Sequence, residues 1–387
     1  MGKIISAVVK YIKQTDRILL LFSVIAGIYG LIMVYSATLF VNRGQQITRT
    51  FLVQVVGNIL GIILMIIMSK IDYHTFAAFW KYIAAAGILL LMYTLIFGFG
   101  RAGSEDKSWI SVFGLTTIQP AELIKIAFII TFSKHFDMVK ENLSSPLNVF
   151  LLGVHAAIPI GIIVLQKDMG MALVYVCIFI FMIFSTPIKM RYFAGGGIAL
   201  LIAAPFIWNK VFGGTQRNRI LALFDPTNPK FAEKMFQQNQ GVSALASGEI
   251  WGYGLFNGPK TQSLYASSLP ERQNDMIFTV VGEELGLIGC IALLFILIVI
   301  LIRFIVVSAS SKDEMGSMIC IGAFASFAVQ MIINIGMCLR VLPVVGLALP
   351  FFSSGGSTTV SSFMTVGLVM SVYLHRKSLL FGNQDEN

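Results

Sequence analysis

Three clusters of polar residues stand where the chain enters long apolar runs, at residues 107–122, 166–170 and 269–278. Carboxylates in such places are candidates for proton transfer, and basic side chains are candidates for binding anionic groups. Asp275 is the acid of the third cluster that lies closest to its apolar run. The spacing leaves a structural interpretation open, because a helix macrodipole also stabilises an acid at a helix N-terminus.

Two ionisable residues, Glu122 and Lys125, lie inside an apolar run. They are three residues apart, share a helix face and can pair. Because charges inside a membrane helix are costly, the pair either locks neighbouring helices or lines a functional cavity. Gln330 and Asn334, four residues apart in a later run, are predicted to form hydrogen bonds between helices.

Two further acids, Glu283 and Glu284, follow Asp275 along the same run. On a regular helix Glu283 falls about 80° from Asp275 and Glu284 about 180°. Only Glu283 is therefore expected to share a cavity with Asp275.

Two irregular segments interrupt the apolar pattern. The glycine-rich segment 248–254 resembles a phosphate loop, but it does not follow a strand of a βαβ unit, so a nucleotide site is weakly supported. Segment 349–357 breaks the backbone before the last apolar run. Such a break is tolerated at membrane depth only where protein or a cavity covers it.

The rest of the chain is strongly apolar. Of its 387 residues, 56% are hydrophobic and 12% are charged, whereas a soluble domain has about 25% charged residues. A bilayer can cover such a surface, and each spanning helix needs about 20 mostly apolar residues. The sequence therefore predicts a single all-α integral membrane domain over residues 1–387. About ten transmembrane helices are predicted, at 18–40, 51–69, 77–98, 118–136, 147–165, 169–186, 192–208, 276–302, 316–338 and 356–374.

The basic residues orient these helices. In the tails and short loops, fourteen Lys and Arg residues fall on the side of the termini and six on the other side. This bias predicts that both termini are cytoplasmic. It also explains the net charge of +9 without nucleic-acid binding. The four cysteines lie in apolar runs and are interpreted as packing residues, and the first apolar run is interpreted as an uncleaved helix.

One connection differs from all the others. Residues 209–274 contain no spanning run, so they are predicted to form a large outer loop. A connection of this length in a compact fold is usually functional.

Taken together, these segments resemble the SEDS family of cell-wall proteins, the group that contains RodA, FtsW and SpoVE. The resemblance covers nearly the whole chain, and six motifs occur in the family's order. They are Trp109–Lys125, Gln166–Gly170, Gln216–Pro229, Ser247–Gly258, Leu269–Gly289 and Asn334–Ser357. Gln216–Ile220 followed by Phe224–Pro226 is more similar to the RodA branch. Gln273-Asn274-Asp275 stands where the family usually has His-Thr-Asp.

The resemblance implies a reaction. SEDS proteins polymerise lipid II outside the cytoplasmic membrane, where the 4-hydroxyl of an acceptor sugar attacks a glycan carried on undecaprenyl pyrophosphate. The family's essential aspartate falls on Asp275, which the resemblance implies is the general base of an inverting transfer. Substrate-binding positions implied by the motifs are Lys107, Trp109, Glu122, Lys125, Asp168, Arg217, Arg219, Lys260, Glu271, Arg272 and Ser357.

The resemblance also implies partners. A class B penicillin-binding protein, which cross-links the strands, is the expected protein partner. Mg²⁺ or Mn²⁺ could assist departure of the pyrophosphate, although the sequence contains no dedicated metal cage. The alternatives are a lipid II flippase, a non-catalytic scaffold of the cell-wall machinery and, last, a transporter of small solutes. A flippase is expected to have broken helices in both halves, and the sequence has such a break near Pro350–Gly356 without a counterpart in the first half.

Overall fold

A computed structural model describes residues 2–39, 47–100, 106–112, 114, 116–143, 145–225, 228–265 and 268–376. Pro226, part of one family motif, lies outside these residues. The α-helices are α1 (Gly2–Gln14), α2 (Arg17–Thr38), α3 (Arg49–Lys70), α4 (Tyr73–Ala78), α5 (Trp80–Phe97), α6 (Pro120–Val139), α7 (Pro146–Leu165), α8 (Met169–Phe184), α9 (Met190–Phe206), α10 (Gly214–Phe224), α11 (Ala232–Ser247), α12 (Ile277–Ala309), α13 (Glu314–Cys338) and α14 (Gly356–His375).

Each of the ten predicted apolar runs forms a helix, so the multi-pass α-helical membrane fold is confirmed. Within the described part of the chain, eight helices are long and apolar enough to cross a membrane. The other two predicted spans are α6 and α8. Helix α6 carries the charged residues Glu122, Lys125, Lys134 and Asp137, and α8 has 16 residues.

The helices of the bundle centre approach one another through small residues. Helix α14 packs along α3, where a Cβ atom at Gly61 would lie 2.6 Å from the ring of Phe363. A Cβ atom at Gly367 would lie 2.6 Å from the carbonyl oxygen of Met65. Small residues allow this close approach in membrane bundles. The packing fixes the start of α14 and the irregular segment that precedes it.

A short antiparallel hairpin precedes α6. Strand β1 (Ile110–Val112) pairs with β2 (Thr116–Ile118), with Ile110 opposite Ile118. Trp109 forms an isolated bridge with Phe99. The hairpin thus connects the end of α5 to the start of α6.

The predicted outer loop contains no described span, but it is not irregular throughout. It contains α10, α11 and a 3₁₀ turn at Pro229–Phe231, and a π-helix at Ile207–Val211 precedes them. Helix α11 packs against α12 and α13. The loop therefore forms a layer over the outer ends of the spans.

The glycine-rich segment lies on a kink in α12. Gly286, with φ of 63°, is the non-helical residue within this helix. A Cβ atom at Gly286 would lie 2.4 Å from the carbonyl oxygen of Ile250, and one at Gly252 would lie 2.2 Å from that of Glu284. The glycines are required by close backbone packing, which accounts for this segment without a bound phosphate.

Candidate active site

Asp275 lies two residues before α12 and is 5% exposed. Its backbone carbonyl accepts a hydrogen bond from the side-chain amide of Asn334 on α13, at 2.9 Å. The same amide donates to the carbonyl of Leu347 at 2.7 Å. Asn334 therefore fixes Asp275 between α13 and the irregular segment before α14. Its acceptors lie outside helices, so the hydrogen bonds between helices that were predicted for Asn334 are not what the structure shows.

The carboxylate of Asp275 has two different sides. Its Oδ1 accepts a hydrogen bond from Nε2 of Gln237 on α11, at 3.3 Å. On the other side is Gly346, where a Cβ atom would lie 3.8 Å from Oδ2. Gly346 also has φ of 77°, a conformation that favours glycine. The backbone of the irregular segment can thus pass beside the carboxylate without a side chain.

Arg219 on α10 supplies positive charge near Asp275. Its Nη1 donates to the carbonyl oxygen of Val344 at 3.0 Å. Burial lowers the pKa of the Arg219 guanidinium, while the charges of Asp275 and Asp106 oppose that change. An arginine remains protonated in such an environment, so Arg219 is a permanent cation whose charge acts on Asp275.

The second predicted cluster joins the first through Asp168. Its Oδ1 caps α8 by accepting from the backbone N–H of Met171 at 3.0 Å, and its Oδ2 accepts from Nε2 of Gln119 at 2.7 Å. Burial raises the pKa of Asp168 to about 6, and the nearby charge of Asp106 acts in the same direction. Asp168 therefore holds α8 against the start of α6.

A cavity of about 470 Å³ lies between the hairpin and the start of α14. Trp109, 9% exposed, lines it. Gln273 and Asn274, the two residues before Asp275, also line it, as does Arg49 at the start of α3. The cavity combines aromatic, amide and cationic groups, and a few polar groups in an aromatic-lined pocket can orient a ligand.

Glu122 and Lys125 lie inside the bundle, 1% and 2% exposed. Lys125 Nζ is 2.8 Å from Glu122 Oε2 and 3.0 Å from Oε1 of Gln330, whose amide returns a hydrogen bond to Glu122 Oε1 at 2.9 Å. Because these charged atoms bind one another and Gln330 of α13 binds both, the geometry favours a structural ion pair that Gln330 links to α13 over a cavity lining. The interhelical bonding predicted for Gln330 is confirmed.

Arg272 and Glu283 hold the outer loop from opposite sides. Arg272 is 2% exposed, and its guanidinium donates to the carbonyls of Lys260, Thr261 and Ser263. The carboxylate of Glu283 accepts from the backbone N–H groups of Lys260 at 2.9 Å and Thr261 at 2.7 Å. The expectation that Glu283 shares a cavity with Asp275 is therefore replaced by a role in anchoring this loop.

Three other predicted basic residues lie in different surroundings. The ammonium of Lys260 donates to Oε1 of Gln240 at 2.8 Å, and Nε of Arg217 donates to the carbonyl of Phe212 at 3.1 Å. Lys107 is exposed. Arg219, in contrast, has a charge that acts on Asp275.

The remaining two predicted residues shape the backbone near the site. Glu271 has φ of 53°, and its carboxylate accepts from the side-chain amide of Asn274. The hydroxyl of Ser357 accepts from the backbone N–H of Gln119 at 3.3 Å. Glu271 thus holds Asn274, which lines the cavity, and Ser357 joins the start of α14 to the residue before α6.

Sequence reasoning missed three residues of this region: Arg49, Gln119 as the partner of Asp168, and Gln237. Arg49 counted only as an outer-loop charge, and Gln119 only as part of a motif. Gln237 lies in a run of four amide side chains at 237–240. Such a run is a weak sign of a helix that contacts its neighbours through hydrogen bonds rather than through apolar packing.

The described residues contain no group of three or more His, Cys, Asp or Glu side chains that could hold a metal ion. Mg²⁺ and Mn²⁺ prefer oxygen ligands, and Mg²⁺ is often held by one or two carboxylates together with substrate phosphates. The donor set at Asp275, a single carboxylate, fits an ion shared with a substrate rather than a protein cage.

Comparison with known proteins assigns the chain to a family. A family model covering FtsW, RodA and SpoVE, described as "Cell cycle protein", matches residues 16–378. The chain belongs to this family, the SEDS family. Among relatives of this SEDS protein, a probable peptidoglycan glycosyltransferase FtsW of Geobacter metallireducens is 32% identical over 95% of the chain and 97% of its own length.

Other relatives have different names at nearly equal identity. Stage V sporulation protein E of Bacillus subtilis is 30% identical over 92% of this SEDS protein and 96% of its own length. The peptidoglycan glycosyltransferase MrdB of Escherichia coli is 29% identical over 94% of this SEDS protein and 95% of its own length. The preference for the RodA branch therefore stays a prediction.

Solved structures share the fold. A chain from a peptidoglycan synthase complex, solved to examine the coordination of polymerization and crosslinking, has a TM-score of 0.77 at 23% identity, covering 94% of this SEDS protein and 99% of that chain. The rod shape determining protein RodA of Thermus thermophilus has a TM-score of 0.66 at 20% identity. The match covers 94% of this SEDS protein and 97% of the RodA chain. The architecture described above is thus a known SEDS architecture.

Proposed function

We propose that this SEDS protein is a peptidoglycan glycosyltransferase that polymerises lipid II at the outer face of a bacterial cytoplasmic membrane. The observation that carries the proposal is the buried carboxylate of Asp275, fixed beside Arg219 and directly after two residues that line a cavity of about 470 Å³. The names of the relatives support the same reaction.

In the proposed reaction Asp275 is the general base. The acceptor's 4-hydroxyl oxygen forms a bond to the donor's anomeric carbon, the bond from that carbon to the pyrophosphate breaks, and Asp275 takes the hydroxyl proton. A sugar hydroxyl is a poor nucleophile, so a positioned carboxylate assists its attack. Gln237 orients the carboxylate through Oδ1, and Oδ2 lies on the side of Gly346.

The leaving group departs as an anion, so it requires positive charge rather than a strong acid. Arg219 is the residue that we assign to this task, with Lys107 and Arg49 as additional cations at the outer face. A divalent cation, held by Asp275 and substrate phosphates, would neutralise further charge when bound. Trp109 is assigned to packing against a sugar of the substrate in the cavity.

The proposed location follows from the charge bias of the loops, which favours cytoplasmic termini. With that orientation α10, α11, the hairpin and the cavity lie outside, where lipid-linked substrate is polymerised. Exposed apolar residues in the same layer, Trp251 (78%), Leu264 (73%) and Tyr265 (75%), offer a surface for a class B penicillin-binding protein. One structural relative belongs to a peptidoglycan synthase complex, which supports such a partner.

The test is polymerisation of lipid II by the purified chain, with and without the penicillin-binding protein and with a divalent cation, followed by gel separation of the glycans. The proposal predicts long glycans from the native protein and a large loss of polymer from Asp275→Asn. The control variant Asp225→Asn alters an exposed acid of the predicted outer loop and should still make long glycans. Absence of polymer from the native protein, even with the partner present, would favour the flippase or scaffold alternatives.

A further inference from the structure

Helix α1 turns away from the first membrane span. Thr15 and Asp16 separate α1 from α2, and Asp16 caps α2 by accepting from the backbone N–H of Leu19 at 3.0 Å. The extended backbone of Asp16, with ψ of 100°, prevents α1 from continuing α2 as one straight helix. Arg303 on α12 holds the carboxylate of Asp16 at 2.6 Å. The direction in which α1 leaves the bundle is therefore fixed at this junction.

One face of α1 is attached to the end of the bundle. The hydroxyl of Tyr11 lies 2.7 Å from the hydroxyl of Ser69, and the ammonium of Lys70 lies 5.7 Å from the centre of the Tyr11 ring. Ser69 and Lys70 are the last residues of α3. Because α3 is a membrane span, this contact places α1 at the level where the span leaves the bilayer.

The other two faces of α1 have opposite character. Val9 and Ile12 are 44% and 40% exposed and are three residues apart, so they share one side of the helix. In the sequence, Ile5 and Val8 extend the same helical spacing toward the N-terminus. Lys10 and Lys13, also three residues apart, are exposed. On a regular helix their mean direction lies about 100° from that of Val9 and Ile12, so the lysines flank the apolar face. An amphipathic helix of this composition suits the boundary between acyl chains and headgroups.

We propose that α1 lies in the membrane surface on the side of the termini and binds anionic phospholipid headgroups through Lys10 and Lys13. Val9 and Ile12 enter the acyl region beside the spans, while Tyr11 keeps the helix against α3. The complementary charge of the lysines selects anionic lipid as the ligand. This site is separate from the outer cavity and does not depend on the proposed reaction.

The test is hydrogen–deuterium exchange of residues 2–14 in the full-length protein, in nanodiscs of phosphatidylcholine alone or mixed with an equal amount of phosphatidylglycerol. We expect slower exchange with phosphatidylglycerol, and high salt should remove the difference because it screens exposed charges. Lys10→Gln with Lys13→Gln should reduce this lipid-dependent ratio by about fivefold per lysine. Val9→Ser with Ile12→Ser should speed exchange in both lipids.

The matched control is Lys189→Gln with Arg191→Gln, which removes two exposed charges at the start of α9. It should leave the lipid-dependent ratio for residues 2–14 unchanged. Equal exchange of the native protein in the two membranes would overturn the proposal. So would a lysine variant that keeps the full lipid dependence, or a serine variant that exchanges like the native protein.

Discussion

Two regions of this protein contain the same kinds of groups, an acid, a cation and an amide, in different arrangements. In the inner region Glu122, Lys125 and Gln330 bind one another within 3.0 Å and are at most 2% exposed. In the outer region Asp275 is held by Gln237 through one oxygen, while the other oxygen faces Gly346. The first set is closed by its own bonds, whereas Asp275 directly follows two residues that line a cavity. Bonding and position, rather than residue type, distinguish a structural site from a candidate catalytic one.

The largest effect on stability is expected from breaking the inner region. Lys125→Ala leaves the buried carboxylate of Glu122 without its cation, which costs about 3–5 kcal/mol for buried pairs. Thermal unfolding in detergent should show a marked loss. Glu122→Gln combined with Lys125→Met removes both charges together and should be much milder. If the two variants unfold alike, the ion pair does not lock these helices.

A smaller effect, on activity, is expected from loosening the outer region. Gln237→Ala removes a donor to the carboxylate and should lower the polymerisation rate about tenfold, since hydrogen bonds to charged groups contribute about 1.5–3 kcal/mol. The ionised carboxylate also loses support, so the acid limb of the pH–rate profile should move to higher pH. Asn239→Ala on the same helix, at an exposed residue, is the control. An unchanged pH profile for Gln237→Ala would remove Gln237 from the site.

The smallest effect concerns Asp168. Burial raises its pKa in the folded state from 3.8 to about 6. Its bound proton therefore stabilises the fold at low pH, and that contribution is lost as the pH rises through about 6. The pKa shift corresponds to about 3 kcal/mol. Asp168→Asn carries no charge but loses one of the two acceptor oxygens, so it should be more stable than the native protein by about 1 kcal/mol above that pH. Unfolding temperatures across the pH range would reveal this gain, and a uniform loss of stability would contradict it.

The spans could be predicted from the sequence because a bilayer demands long apolar runs, and all ten runs became helices. Helix α1 was missed because it is short and mixed in polarity. Helices α10 and α11 were missed because their polar sequences carry little periodic signal. Glu283 was expected to share a cavity with Asp275, but its carboxylate binds the backbone of the loop at Lys260 and Thr261. Asp275 precedes α12, so a regular helical rotation does not relate the two residues.

Within the candidate site, the sequence predicted which residues are present better than it predicted which residues they contact. The family motifs brought Asp275, Trp109 and Asp168 to attention, and their roles remain predictions. The contact between Gln237 and Asp275 joins residues 38 positions apart, and no local pattern could reveal it. The burial of Arg272 was equally hidden, because a basic residue near an acid resembles a substrate ligand until its carbonyl partners are known.

The most direct test of this division between regions is one paired measurement of unfolding temperature and lipid II polymerisation for Asp275→Asn and Lys125→Ala. Asp275→Asn should keep the native unfolding temperature and lose about 10²–10⁴-fold in rate, the range for a missing general base. Lys125→Ala should unfold at a clearly lower temperature. Native-like polymerisation by a folded Asp275→Asn, or native stability of Lys125→Ala, would contradict the account.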